Sequence, residues 1–221
     1  MKLEIWIILI EFITLTFTRS GYRFLNPQWT NTDAFAHFNI MREIKNDNHR
    51  IPEGHSRTFH PGKFTYPPLL HIVLSVIPER YFELTDKVFS VAVDLLFAVL
   101  LFTLVPLGIL DLSQMTVVLA LFVAAPQFVR PDHPHGVGLS ARKPGILLFS
   151  TGIAAFLLWM SRGEAIFFII AVVMGGFLPL TSRFSTQAFL FTSIVLSIFY
   201  TPLAIGYFFA SLVFSLIFSG G

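Results

Sequence analysis

The sequence predicts an all-α, polytopic membrane protein with about seven transmembrane helices. Of its 221 residues, 54% are hydrophobic and only 13% are charged, whereas soluble domains carry about 25% charged residues. Long apolar runs recur along the chain, and they approach the ~20 residues that an α-helix needs to cross the hydrocarbon core. We therefore expect a single transmembrane domain, residues 1–221, embedded in the lipid of the cell membrane.

Charge and cysteine content exclude two classes of function. The formal net charge is +2 at pH 7, which is too small to indicate a nucleic-acid partner. The chain contains 0 Cys, so disulfides and thiolate chemistry are both excluded.

The apolar runs predict the spans in order. The first, residues 3–18, is expected to remain uncleaved, because Arg19-Ser20-Gly21 offers no small-x-small cleavage site. Glu11 and Asp94 lie inside spans, where an ionisable side chain faces protein or water and not lipid. The sequence indicates no partner for Asp94. The six later spans are expected at residues 88–110, 116–129, 145–160, 165–180, 187–201 and 203–218.

A long polar loop, residues 19–66, follows the first span and begins with a predicted helix. Asn31 or Thr32 can cap this helix. It is too polar to span, so we expect it to lie along the membrane face with its apolar stripe inward. Asp33 and His37 are four residues apart and share one of its faces. The expected stripe comprises Ala34, Phe35, Phe38, Met41 and Ile44.

Residues 67–78, PPLLHIVLSVIP, decide which loops share a side of the membrane. Twelve helical residues cover about 18 Å, well short of the ~30 Å hydrocarbon core. We expect this segment to be re-entrant or interfacial, which places the first loop and a second polar loop, residues 130–144, on the same side. Both loops are basic, so the positive-inside rule alone would assign them to the cytoplasm. Basic residues that bind a lipid phosphate would defeat that rule, and orientation stays open on charge alone.

Three motifs occur in a fixed order along this chain. The helix TDAFAHFNIMREI comes first, then Tyr66-Pro67-Pro68-Leu69, and then an Asp-bearing loop that closes with Ser140-Ala141-Arg142-x-x-Gly145. This order resembles the GT-C superfamily of membrane glycosyltransferases, which includes oligosaccharyltransferase catalytic subunits and protein O-mannosyltransferases. The resemblance covers roughly the first two thirds of the chain, and it implies a GT-C-like fold truncated relative to the family.

The resemblance implies two catalytic carboxylates. Asp33 matches the family's first-loop aspartate, which is the general base or orients the acceptor, and Asp132 matches the acidic motif of the second loop. The oligosaccharyltransferase pattern has another carboxylate two residues after the second aspartate, where this chain has Pro134. Imidazole binds divalent metals, so Asp33, Asp132 and His135 are the candidate ligands if Mg²⁺ or Mn²⁺ is required.

Several other polar residues are expected to bind substrate. Positive charge must stabilise the leaving phosphate, and an Arg side chain can bind phosphate with two hydrogen bonds. Structural alternatives stand beside these roles, since Asp33 favours a helix start by the dipole alone and Arg142 can snorkel at a span end. His49, by contrast, is interpreted as a surface residue. The candidate substrate-binding residues are His37, Lys63, Tyr66, Arg130 and Arg142.

The function predicted from this resemblance is inverting transfer of a glycosyl group from a polyprenyl-phosphate-linked donor to an acceptor on the outer face. The alternative is a non-catalytic or truncated GT-C-like membrane protein that a second subunit completes. A small transporter is less favoured, because transporters place ionisable sites near the membrane midplane, and here the ionisable residues concentrate in loops.

Overall fold

The structure, a computed structural model, describes residues 2–25, 32–51, 67–124 and 139–219. Within these ranges it contains helices and no strand, so the prediction of an all-α protein is confirmed there. A short 3₁₀ helix, Glu79–Tyr81, precedes α4. The α-helices of the described ranges are α1 Lys2–Leu25, α2 Thr32–Asn46, α3 Leu69–Ser75, α4 Phe82–Leu104, α5 Leu112–Ala124, α6 Arg142–Arg162, α7 Ala165–Thr181, α8 Arg183–Phe199 and α9 Leu203–Ser219.

Two helical segments of the described residues are long and apolar enough to cross a membrane. Glu79–Leu104 has 26 residues and a mean hydropathy of 2.2, and Arg142–Arg162 has 21 residues and a mean hydropathy of 1.6. At 1.5 Å per residue these helices are about 39 and 32 Å long, against the ~30 Å hydrocarbon core. The helices α5, α7, α8 and α9 are apolar but shorter, with 13 to 17 residues each. The count of seven spans therefore stays a prediction.

The chain forms two compact units. The first comprises Met1–Phe38 and Pro78–Lys143, and the second comprises Asn39–Ile77 and Pro144–Gly221. In the first unit, α1 packs against α4 and α5. The buried positions of α1 form one narrow stripe, Ile8, Leu15 and Arg19, so a cation sits in line with two apolar core residues.

Aromatic rings and small residues build the core of the second unit. The rings of Phe156 on α6 and Tyr207 on α9 stack with centroids 4.9 Å apart. Gly152 leaves room for the Tyr207 side chain, because a Cβ atom at position 152 would lie 2.6 Å from the Tyr207 hydroxyl oxygen. Close helix packing in membrane proteins depends on such small residues.

Helix α2 buries a different arc from the predicted stripe. Its buried residues are Ala34, His37, Phe38, Ile40, Met41 and Ile44. Phe35, which we expected in the stripe, is 59% exposed. Successive helical residues are about 100° apart, and the buried arc is centred between His37 and Met41, so Phe35 falls outside it. The prediction from apolar spacing did not include His37 in the buried stripe, because His37 is polar.

The first loop ends at a very short helix. Helix α3 has 7 residues, Leu69–Ser75, and is therefore about 10 Å long. It packs against α7 within the second unit. Whether residues 67–78 cross the membrane stays a prediction.

Candidate functional site

A row of polar side chains runs along one buried face of α4. Asp86, Ser90 and Asp94 are four residues apart, which places them one above the other on a helix. Their exposed fractions are 0%, 3% and 4%. The helix belongs to a segment apolar enough to cross a membrane, and ionisable residues in such a helix are retained where they have partners or a function.

Lys143 is the main partner of this row. Its Nζ atom donates to both carboxylate oxygens of Asp94, at 3.0 and 2.9 Å, and to the Ser90 hydroxyl at 2.6 Å. These three acceptors use all three ammonium hydrogens. Lys143 is only 4% exposed, so this is a buried ion pair whose hydrogen-bonding capacity is filled.

Arg19 of α1 approaches the same carboxylate from another direction. Its Nε atom lies 3.5 Å from Oδ2 of Asp94. Its Nη2 donates to the backbone carbonyl of Phe122 at 2.8 Å, and the guanidinium lies 5.5 Å from the centroid of the Phe122 ring. Asp94 is therefore shared between two buried cations, and it joins α1 to the start of α6.

The segment that closes the second predicted loop lies along α4. At its first residue, the backbone N–H of Leu139 donates to Oδ1 of Asp86, and at its last residue Lys143 reaches Asp94. Asp86 and Asp94 are about 12 Å apart along the helix axis, and residues 139 and 143 contact one of them each. We call this segment, residues 139–143, the strap. Leu139, Ser140 and Ala141 are all buried within it.

Arg142 is the strap residue whose side chain is half-buried. Arg142 and Lys143 are the first two residues of α6, where positive charge opposes the helix dipole. For Lys143, the ion pair with Asp94 offsets this unfavourable interaction with the dipole. The Ser140 hydroxyl accepts the Arg142 backbone N–H at 3.2 Å and supports the helix start. The position of Arg142 is thus set by buried contacts on both of its flanks.

The other predicted site residues fall mostly beyond what the structure describes. Asp33 lies in the first turn of α2, but its side chain is outside the described atoms. His37 is 4% exposed, as a buried member of α2. Lys63, Tyr66, Arg130, Asp132 and His135 lie outside the described residues.

The candidate metal ligands cannot be located in this structure. The side chains of Asp33, Asp132 and His135 are all outside the described part of the chain. Among the side chains that are described, no group of three or more His, Cys, Asp or Glu could hold a metal ion.

Four polar residues of this site were not selected from the sequence: Arg19, Asp86, Ser90 and Lys143. The spacing of four between polar residues in an apolar helix was the available signal, and Asp94 alone was noted, without a partner. Its partner Lys143 lies 49 residues away in the chain, and no local pattern links the two. Comparison of the chain with protein-family models, curated proteins and solved structures finds no match.

Proposed function

We propose that the protein is a multi-pass membrane glycosyltransferase of the GT-C type. It moves a glycosyl group from a polyprenyl-phosphate-linked donor to an acceptor on the outer face, with inversion at the anomeric carbon. The proposal rests first on the order of the three sequence motifs described above. It gains support from the all-helical architecture of the described residues and from their two helices long enough to cross a bilayer.

The observation that carries the proposal is the strap. Asp86 and Asp94 fasten residues 139–143 to α4, and this segment ends the loop that carries Asp132. Arg142 is thereby held at a fixed place at the positive end of α6. Both its charge and the helix dipole favour an anion there, as a donor phosphate requires. Fixed placement of charge is what electrostatic catalysis needs, because the site does not reorganise during the reaction.

In the proposed reaction, Asp33 accepts the proton of the acceptor hydroxyl. The acceptor oxygen forms its bond to the anomeric carbon as the bond from that carbon to the donor phosphate breaks, and the polyprenyl phosphate leaves with the electron pair. Arg142, Arg130 and Lys63 stabilise the negative charge of the departing phosphate. Asp132, His37 and Tyr66 orient the two substrates.

The test of this function compares Asp33→Asn with wild type, in nanodiscs, on a panel of polyprenyl-phosphate sugars. Asn still supports a helix start, so we expect normal folding and transfer slowed by at least ~10²-fold. Asp47→Asn, an exposed change just beyond the end of the same helix, is the matched control and should leave transfer unchanged. Transfer by Asp33→Asn within a few-fold of wild type would make Asp33 a helix-start residue only. A wild-type protein inactive on every donor would favour the non-catalytic subunit.

The arrangement of spans is testable separately, because the chain has 0 Cys. Asn46→Cys and Ser113→Cys change exposed residues, one before and one after residues 67–78. If that segment does not cross, an impermeant thiol reagent on intact cells labels Asn46→Cys, whereas Ser113→Cys reacts only after permeabilisation. Labelling of both, or of neither, on intact cells would mean that the segment crosses and that the two loops lie on opposite sides.

A further inference from the structure

The helix that carries Asp33 meets α4 through an aromatic pair. The rings of Phe38 on α2 and Phe82 on α4 are stacked, with their centroids 5.4 Å apart and their planes inclined by 21°. Both side chains are buried, with exposed fractions of 7% and 3%. Aromatic pairs favour an offset, near-parallel arrangement of this kind. The pair therefore holds this part of α2 against the first turn of α4.

Phe82 precedes the polar row on α4. It lies four residues before Asp86, and the rest of the row follows at the same spacing, so these residues lie along one side of the helix. Phe82 contacts α2, whereas Asp86 accepts the backbone N–H of Leu139, the first residue of the strap. The two positions on α4 are about 6 Å apart along the helix axis. The helix of the first predicted loop and the end of the second are therefore held on neighbouring turns of α4.

We propose that this side of α4 positions both halves of the proposed catalytic site, with Phe82 and Asp86 as positioning residues. Phe82 acts on the helix that carries Asp33, which lies five residues before Phe38. Asp86 acts on the strap, which carries Arg142. The roles of these residues in a reaction rest on the proposed glycosyl transfer, whereas the juxtaposition of α2 and the strap does not.

The chemistry of the proposed reaction requires such a support. The proton acceptor and the phosphate-binding cation must hold the acceptor and the donor in one geometry, and a displacement of about 1 Å can slow an enzyme by about 10²-fold. Asp33 and Arg142 lie on segments that border loops, and loops are more mobile than the helices that they connect. A helix that contacts both segments limits their relative motion, because sites supported by helices are more precise than sites on loops alone.

The two positioning residues should change different kinetic constants. Phe82→Ala removes the ring that stacks on Phe38, so we expect kcat to fall by ~10-fold or more while the KM for the donor stays within a few-fold of wild type. Asp86→Ala removes the acceptor for the Leu139 N–H, so we expect the KM for the donor to rise by ~10-fold or more, with a smaller change in kcat. Asp86→Asn keeps an acceptor oxygen and should restore most of the donor binding.

Double electron–electron resonance (DEER) on the full-length chain in nanodiscs tests the juxtaposition without any substrate. The chain has 0 Cys, so spin labels at Phe35→Cys, 59% exposed, and at the half-buried position of Arg142→Cys report the distance between α2 and the strap. We expect one narrow distance distribution when no other residue is changed. Phe82→Ala and Asp86→Ala should each broaden or shift it. Leu84→Ala, an exposed change on the same helix, is the matched control and should alter neither the distance nor the kinetic constants.

The two measurements separate failure of this proposal from failure of the proposed function. A wild-type protein inactive on every polyprenyl-phosphate sugar would overturn the reaction, and the DEER distance alone would then decide the juxtaposition. A broad distribution without Phe82→Ala or Asp86→Ala would overturn the positioning, and so would a distribution that these variants change no more than Leu84→Ala does. In an active enzyme, the same pattern of kcat and KM for both variants would also overturn it. If Phe82→Ala does not fold, Phe82→Leu keeps a buried apolar side chain without the ring and should lower kcat in the same way.

Discussion

Asp94→Asn is the most informative single substitution in this protein. Asp94 is the carboxylate shared by Lys143, at 2.9 and 3.0 Å, and by Arg19, at 3.5 Å. Asn has nearly the same shape and can still accept a hydrogen bond, but it carries no charge. The substitution therefore leaves two buried cations, 5% and 4% exposed, beside a neutral side chain.

The expected cost follows from which charges remain. Removing one partner of a buried ion pair typically costs about 3–5 kcal/mol, because the other charge stays desolvated. Lys143→Met is the opposite case, since Asp94 keeps Arg19 as its partner and the pair stays neutral. The Lys143→Met variant loses hydrogen bonds to a charged group, which lowers the free energy of unfolding by about 1.5–3 kcal/mol. We expect Asp94→Asn to be the more damaging of the two, and the double variant to cost less than the sum.

The assay is the free energy of unfolding of purified protein in mixed micelles. The matched control lies on the same helix, where Lys87 and Glu83 form an ion pair at 3.2 Å with Glu83 64% exposed. Glu83→Gln should cost no more than about 0.5 kcal/mol, as exposed pairs at this spacing do. If Asp94→Asn costs no more than Glu83→Gln, or if Lys143→Met costs more than Asp94→Asn, the assignment of charges in this cluster is wrong.

Two further predictions concern packing and pH. Gly152→Ala should lower the free energy of unfolding by about 1–3 kcal/mol through overpacking, because its Cβ atom would meet the Tyr207 hydroxyl. Adding Tyr207→Phe should relieve this clash. The control, Gly206→Ala, should be tolerated, because a Cβ atom at that position has open space around it. The Ser113 hydroxyl and then the Gln114 N–H donate to Asp111 and lower its pKa, so its stabilising contribution should be lost as pH falls from the ordinary carboxyl pKa through the folded one. Unfolding midpoints of Asp111→Asn should lack that acid step.

Much of the secondary structure is predictable from local pattern. Continuous apolar runs predicted the seven apolar helices of the described ranges, but some of their ends differ. Helix α1 continues to Leu25, beyond the predicted end at residue 18, and α4 ends at Leu104, short of the predicted end at residue 110. The helix after residue 31 followed from a cap residue and an apolar spacing of three and four. These signals are local because the hydrogen bonds of a helix join residues four apart.

The strap contains a feature that local sequence pattern does not predict. Arg142 and Lys143 are adjacent cations, and the sequence selected Arg142 for a role and left Lys143 without one. The structure buries Lys143 against Asp94 and leaves Arg142 half-buried. Adjacent helical residues point about 100° apart, so only one of the two can face Asp94, and the contact of Lys143 with Asp94 decides which one is buried.

His49 shows the same division. The sequence predicted a helix whose apolar stripe reaches Ile44, and α2 ends at Asn46. Only the tertiary structure placed a buried serine of α3, 26 residues further along, against the imidazole ring. Helix formation, the hydrophobicity of the spans and helix capping depend on neighbouring residues, so the sequence alone predicts them. The pairing of Asp94 with Lys143 and of His49 with Ser75 depends on contacts between distant segments, which exist only once the helices have packed.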